Sequence, residues 1–277
     1  DEVRITDATG LATGATAENI DGSSVVGAID LYGNDGANSL TGNGSNNTLS
    51  GGGGADTLTA GAGSDSLLGG DGNDTFVLAG NLTSADTLVG GNGTDTLTFT
   101  DSGAATTDLN NVSGIETITL GDAITSVTTL NALVAAGETL TVDASALVTA
   151  GSTLTWNGAA EANGKFSITG GALSDTITGG SGNDTLVGGV GNDSLTAGAG
   201  SDSLSGGSDD DTFVLSTNLT LLDTLVGGDG TDTLTFTDND GVATDLNNVS
   251  GIETITLGNA ATTVTCLLYT SDAADEG

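Results

Sequence analysis

Large apolar side chains recur every nine residues along two stretches of the chain. The first stretch reads GNDGANSLT from Gly33, GNGSNNTLS from Gly42, GGGGADTLT from Gly51, AGAGSDSLL from Ala60 and GGDGNDTFV from Gly69. A three-residue insertion and a degenerate copy follow, and GGNGTDTLT from Gly90 closes the block. The second stretch reads GGALSDTIT from Gly170, GGSGNDTLV from Gly179, GGVGNDSLT from Gly188, AGAGSDSLS from Ala197 and GGSDDDTFV from Gly206. It closes with GGDGTDTLT from Gly227 after the same interruption. In each nonapeptide one apolar residue sits between two small polar ones, as in Thr57-Leu58-Thr59. A period of two predicts a short strand with the apolar residue on one face and its neighbours on the other. The glycines before it predict a tight turn that needs positive φ. Two nonapeptides make an 18-residue coil, so turns 18 residues apart stack along one edge about 4.8 Å apart.

A longer repeat encloses the short one. Residues 60–128 align with 197–265 at an offset of 137 without gaps, with 52 of 69 positions identical. The chain therefore holds two copies of one module. Between the blocks the nine-residue period lapses, but Thr-, Val- and Ile-rich runs at Glu116–Leu120, Thr139–Val142, Thr153–Trp156 and Lys165–Thr169 predict strands. Apolar spacing over Leu130–Ala136 predicts one short helix. More solenoid with longer coils is the expectation for this stretch, with a separate β-sandwich insert as the other option; Trp156 and Phe166 are expected in its core. The expected divisions are a β-rich flank at 1–32, block 1 at 33–98, an inter-block segment at 99–169, block 2 at 170–235, the start of a second inter-block segment at 236–265, and a non-repeat tail at 266–277. That tail holds the single Cys, breaks the repeat in mid-module and looks like translated adapter sequence, with a genuine C-terminal tail as the other option.

Composition narrows the chemistry. The 277 residues include 47 Gly, 37 Asp plus Glu, two basic residues and no His, for a formal charge of -35. Without His there is no Ser-His-Asp triad, no Cys-His dyad and no HExxH helix. Lys165 precedes Phe166, so no Gly-Lys-Ser/Thr phosphate loop exists. The charge opposes nucleic acid and anionic lipid. No apolar run approaches the ~20 residues that span a bilayer. Within these residues no catalysis is expected.

The stacked turns bring carboxylates into rows. In block 1 these are Asp56, Asp65, Asp74 and Asp95, with Asp86 in the degenerate copy. In block 2 they are Asp175, Asp184, Asp193, Asp202, Asp211 and Asp232, with Asp223 in the degenerate copy. Rows of bare carboxylates at this spacing repel. A hard cation taking six to eight oxygens relieves them, and Ca²⁺ suits carboxylates and turn carbonyls better than Mg²⁺. The lack of His, and of Cys in the blocks, disfavours zinc, copper and iron. Asn38 and Asn47 replace Asp in the first two repeats, where weak or absent sites are expected. The Asp209-Asp210-Asp211 run lacks the turn glycine at 209, which puts its local geometry in question.

The pattern G-G-x-G-x-D-x-U-x, over 33–98 and 170–235, resembles the hemolysin-type RTX calcium-binding nonapeptide repeat. The resemblance implies an all-β fold, a right-handed parallel β-roll or β-solenoid with two blocks joined by an irregular β-rich segment. It implies Ca²⁺ ions between stacked turns. Full carboxylate pairs would be Asp56 with Asp74, Asp175 with Asp193, Asp184 with Asp202, and Asp193 with Asp211. Asp74 would meet Asp95 only if the insertion at 78–80 loops out. Turn carbonyls near Gly52, Gly54, Gly70, Gly72, Gly180, Gly182, Gly189, Gly191, Gly198 and Gly200 would complete the sites, with Asp86 and Asp223 as weaker ligands. A looser likeness is to large secreted bacterial adhesins and surface-layer proteins exported by type I secretion. It implies an extracellular or cell-surface place and cell-surface, glycan or lattice neighbours as partners. Two alternatives are the calcium-folding portion of a secreted protease or lipase, and an ice-binding solenoid presenting Ser/Thr rows.

Overall fold

The computed structural model describes residues 2–4, 18–100, 108–130, 133–237 and 245–258. The tail at 266–277 and, within the flank at 1–32, residues 1 and 5–17 lie outside them. The described chain is a parallel β-solenoid. It alternates, strand by strand, between one long sheet and the opposite face. The long sheet has twelve strands, running from Glu18–Asp21 to Val249–Ser250. The opposite face holds a six-stranded sheet from Glu2–Arg4 to Val112–Ser113, then a seven-stranded sheet from Thr125–Thr128 to Thr254–Leu257. Every strand pairing is parallel; Thr57, for example, pairs with Ser39 before it and Thr75 after it, 18 residues away on each side.

The core is a double column of apolar side chains, one from each face. Along the long sheet Leu40, Leu58, Phe76, Leu97, Ile118, Val142, Ile168, Leu186, Leu204 and Leu225 fall in register and are 0–1% exposed. Outside, the same strands present Ser/Thr rows such as Ser39, Thr57, Thr75, Thr96 and Thr117. Small β-branched residues suit a pleated, half-wet surface.

The solenoid runs through the inter-block stretch. Thr117–Leu120, Thr139–Asp143 and Lys165–Thr169 join the long sheet between the two blocks, close to the expected runs. Coils lengthen here: Thr117 pairs with Thr141 and Thr141 with Ser167, spans of 24 and 26 residues. The sandwich option is thereby set aside. The expected helix at Leu130–Ala136 does not form; its described residues make bends and a turn. Leu133 and Val134 are buried there in coil while Leu130 is 48% exposed, so tertiary packing overrides the helical spacing. Thr125–Thr128, a strand not foreseen, pairs with Leu154–Asn157. One 3-10 turn, Asp108–Asn111, leads into Val112–Ser113, and its copy Asp245–Asn248 into Val249–Ser250.

The two modules do not sit alike. Thr75–Ala79 and Thr96–Phe99 belong to the long sheet, whereas their copies Thr212–Ser216 and Thr233–Phe236 belong to the seven-stranded sheet. Thr87–Asn92 and its copy Thr224–Asp229 exchange faces in the opposite sense. Thr75–Ala79 is the eighth strand and Thr212–Ser216 the twenty-first, so one module advances 21 − 8 = 13 strands, an odd number.

Candidate metal centre

Each turn is built by its glycines. In GGGGAD the second and fourth, Gly52 and Gly54, have φ of +107° and +92°, which L side chains rarely adopt. The first glycine is needed for space. A methyl group on Gly51 would overlap Asp56 Oδ2 and crowd the Gly69 carbonyl of the next coil, and Gly69, Gly188, Gly206 and Gly227 are packed in the same way against their own aspartates. Asp209, in a glycine's place, takes φ +80° and so keeps the turn.

The stacked turns align the aspartates in rows. The backbone N–H of Asn38 donates to Asp56 Oδ1, that of Asp56 to Asp74 and that of Asp74 to Asp95, at 2.7–2.8 Å. In block 2 the N–H groups of Asp175, Asp193 and Asp211 donate to Asp193, Asp211 and Asp232 at 2.7–2.8 Å. Each block has a second row on its other edge: Asp65 follows Asn47 and is followed by Asp86, and Asp184 is followed by Asp202 and then Asp223, so that the Asp184 row shares the edge of the Asp56 row. All four expected pairs are adjacent. Asp74 also meets Asp95, because a bulge near Ala79, at φ +46°, absorbs the insertion. Two members of the rows were not foreseen: Glu116 and Glu253 close them by accepting the N–H of Asp95 and Asp232 at 2.7 and 2.8 Å. Their distance of 21 residues from those aspartates was the available signal.

The second carboxylate oxygen divides the rows into two kinds of turn. Oδ2 of Asp56, Asp74, Asp95, Asp193, Asp202, Asp211 and Asp232 is buried without a hydrogen-bond partner. In each of these turns the second residue is a glycine with positive φ: Gly52, Gly70, Gly91, Gly189, Gly198, Gly207 and Gly228. Where the second glycine is not left-handed, its N–H closes the carboxylate. Gly171 donates to Asp175 Oδ2 at 2.6 Å and Gly180 to Asp184 Oδ2 at 2.7 Å. In the degenerate copies Thr83 and Thr220 do the same for Asp86 and Asp223, at 2.7 and 2.6 Å. At the first two repeats the amides close the turn by themselves. Asn38 Nδ2 donates to the Gly36 carbonyl, and Asn47 Nδ2 to the carbonyls of Asn43 and Ala60 at 3.3 and 3.4 Å. Ala60 occupies the place in its coil that Gly69 has beside Asp56.

Burial governs the electrostatics. It pushes the carboxyls of Asp56, Asp65, Asp95, Asp202 and Asp211 up to about 6, and that of Asp193 to about 7, against the opposing pull of a backbone N–H. Adjacent carboxylates in the row add to the rise. Asp74, Asp175 and Asp184 are raised for the same first cause. A buried carboxylate with a free oxygen is costly unless something positive reaches it. Among the described residues no three acidic, His or Cys side chains converge. A cation here must take one carboxylate per turn and find the rest among main-chain carbonyls, such as those of Gly69, Gly90 and Gly206 that border the free oxygens. An all-oxygen donor set of this kind fits a hard ion such as Ca²⁺.

A parallel solenoid with partnerless carboxylate oxygens along its turns belongs to the cation-binding β-rolls. The family follows from the repeats themselves. Residues 30–58, 50–80, 83–99, 169–204, 188–215 and 223–240 match the RTX calcium-binding nonapeptide repeat, and the chain is an RTX repeat protein. RTX nonapeptide repeats bind Ca²⁺ and are structural rather than catalytic; they typically occur in secreted bacterial proteins. No curated protein matches the chain. No helix among the described residues is long and apolar enough to cross a membrane.

Proposed function

We propose that this chain is a calcium-folded, non-catalytic segment of a secreted bacterial protein, where it acts as a stiff structural or adhesive spacer. Asp56, Asp74, Asp95, Asp193, Asp202, Asp211 and Asp232 would be the principal ligands. Asp65 belongs with them by its place in the row. Asp175, Asp184, Asp86 and Asp223, already closed by backbone N–H groups, would bind more weakly. The observation that carries this reading is the set of buried Oδ2 atoms without partners, those of Asp56, Asp74, Asp95, Asp193 and Asp232 each beside a carbonyl that a glycine leaves open. Bound ions would neutralise a row that otherwise repels itself and would link ion binding to folding. Low cytosolic calcium would keep the acidic chain extended for export, and external calcium would then fold it.

The test is far-UV circular dichroism of the whole chain, titrated with Ca²⁺ and separately with Mg²⁺. A steep gain of β signal with Ca²⁺ and little with Mg²⁺ is expected. A full β spectrum in chelator, unchanged by Ca²⁺, would make the turns plain scaffolding.

A further inference from the structure

The partnerless carboxylate oxygens are not spread along the solenoid. Among the described residues all belong to Asp56, Asp74 and Asp95 in block 1 or to Asp193, Asp202, Asp211 and Asp232 in block 2. Between the blocks the buried Glu161 and the exposed Asp122 are satisfied mainly from the main chain. Glu161 is fully buried, yet its Oε1 accepts the N–H groups of Ala162, Asn163 and Gly164 at 3.0–3.2 Å, and its Oε2 that of Val134 at 3.4 Å. Asp122 Oδ1 accepts the N–H groups of Val148 and Thr149 at 3.1 and 3.2 Å and the Thr149 hydroxyl at 3.1 Å. At the entry to block 2, Asp175 and Asp184 have both oxygens closed.

The inward positions differ in the same way. Four of the six-residue block strands point one large residue and one glycine inward, Leu49 and Gly51, Leu67 and Gly69, Leu186 and Gly188, Leu204 and Gly206, although Thr75–Ala79, Thr96–Phe99 and their copies Thr212–Ser216 and Thr233–Phe236 bury two apolar residues each. Four inter-block strands point two apolar residues inward, Ile118 and Leu120, Leu140 and Val142, Leu154 and Trp156, Phe166 and Ile168, and Thr125–Thr128 buries Thr125 and Val127. Trp156 and Phe166 meet edge to face, with centroids 5.7 Å apart and planes at 78°. Apolar burial is the main driving force for folding, and those four inter-block strands bury twice as many large side chains as the glycine-bearing block strands, with no uncompensated charge to oppose it.

We propose that the inter-block coils, residues 115–169, fold without any cation and form a template on whose exposed strand edges the blocks grow when Ca²⁺ arrives. Thr117–Leu120 offers the edge to which Thr96–Phe99 pairs, and Lys165–Thr169 the edge to which Thr185–Val190 pairs. A preformed edge removes the nucleation step from each block, the part of β pairing with most entropy to lose. The Asn38 and Asn47 turns are a second place where amide hydrogen bonds take over the work of an ion.

The inference rests on calcium being the ion that folds the blocks, and the experiment separates the two ideas. Trp156 is the chain's one tryptophan, so its fluorescence reports on the inter-block coils alone. Acrylamide quenching of Trp156 is measured on the whole chain in chelator, in Ca²⁺ and in denaturant, alongside circular dichroism. In chelator the quenching constant is expected within about twofold of the calcium form and roughly fivefold below the denatured chain, while the β signal still rises with Ca²⁺. Quenching in chelator equal to the denatured chain, falling only in step with the calcium-driven β signal, would overturn the template and leave the calcium reading intact. A β signal indifferent to calcium would remove the calcium reading and the template with it. The double variant Asp74→Asn, Asp211→Asn should blunt the calcium response and leave Trp156 as shielded in chelator as in the parent. Loss of that shielding would also count against the template.

Discussion

At the scale of the residue, the two oxygens of Asp56, Asp74, Asp95, Asp193, Asp202, Asp211 and Asp232 carry different loads. Oδ1 takes a backbone N–H from the preceding coil, and Oδ2 waits for a partner. Asp74→Asn and Asp211→Asn should each lower calcium stoichiometry by about one and raise the calcium midpoint, read by titration calorimetry. In chelator the same variants should be no less folded than the parent, because a buried charge has gone. The protonation sign is equally definite. Burial raises the folded-state carboxyls to about 6, and Asp193 to about 7, above an unfolded value near 3.9. A raised folded pKa means stability that is present at low pH and lost as pH climbs through 6 to 7. In chelator, acidifying from about pH 8 to about pH 5 should therefore increase β signal, with calcium dependence sharpest at the alkaline end. A metal-free chain more folded at the alkaline end would contradict this. Asp209→Gly relieves left-handed strain of about 1 kcal/mol at φ +80°, and the freer unfolded chain takes back about half. A small rise in melting temperature in saturating calcium is expected. The phase of the aspartates was legible in the repeat, since Asp falls at one position of nine. Which aspartates are closed was not. Gly171 and Gly52 follow the same motif, yet only Gly52 is left-handed. The preceding coil decides: Ala172 bonds back to the Leu147 carbonyl of an irregular inter-block turn, whereas Gly53 bonds back to Asn34 within the regular array.

At the scale of the element, the strands are short and their turns are strict. Gly207, at φ +123°, lies against the Gly189 carbonyl of the preceding coil. Gly207→Ala adds both left-handed strain and overlap, roughly 2–4 kcal/mol together, and should abolish binding at Asp211. Asp211 binding retained at parental midpoint, read by the same calorimetry, would show that the left-handed glycine is not what frees Oδ2. Block strands were readable because one apolar residue between two hydroxyls has a single sensible orientation. The inter-block strands were readable from their β-branched runs. Thr125–Thr128 escaped because it turns Thr125 and Val127 inward, a weak signal without its partner Leu154–Asn157 beside it. The false helix at Leu130–Ala136 came from spacing that fits a helix but serves a longer coil, where Leu133 and Val134 reach the core singly.

At the scale of the whole molecule, charge and shape are linked. An unfolded chain of 277 residues has a radius of gyration near 58 Å, whereas the twelve-stranded sheet is only about 55 Å long. X-ray scattering should show the radius falling at least about twofold between denaturant and saturating calcium, with the chelator form between the two. A chelator form as expanded as the denatured chain would argue that nothing is held together before the ions bind.

The odd strand count of the module sets how the solenoid meets its surroundings. Thirteen strands are six and a half coils, an advance of about 31 Å with a half-turn left over. Each module is thus related to the next by something close to a twofold screw. The ledge at Leu221 and Leu222, 50% and 64% exposed, and its copy at Ser84 and Ala85 therefore project from opposite sides of the rod. Two modules in series cannot lie flat with like edges on one plane. They present alternate sides, as the rungs of a ladder serve both uprights.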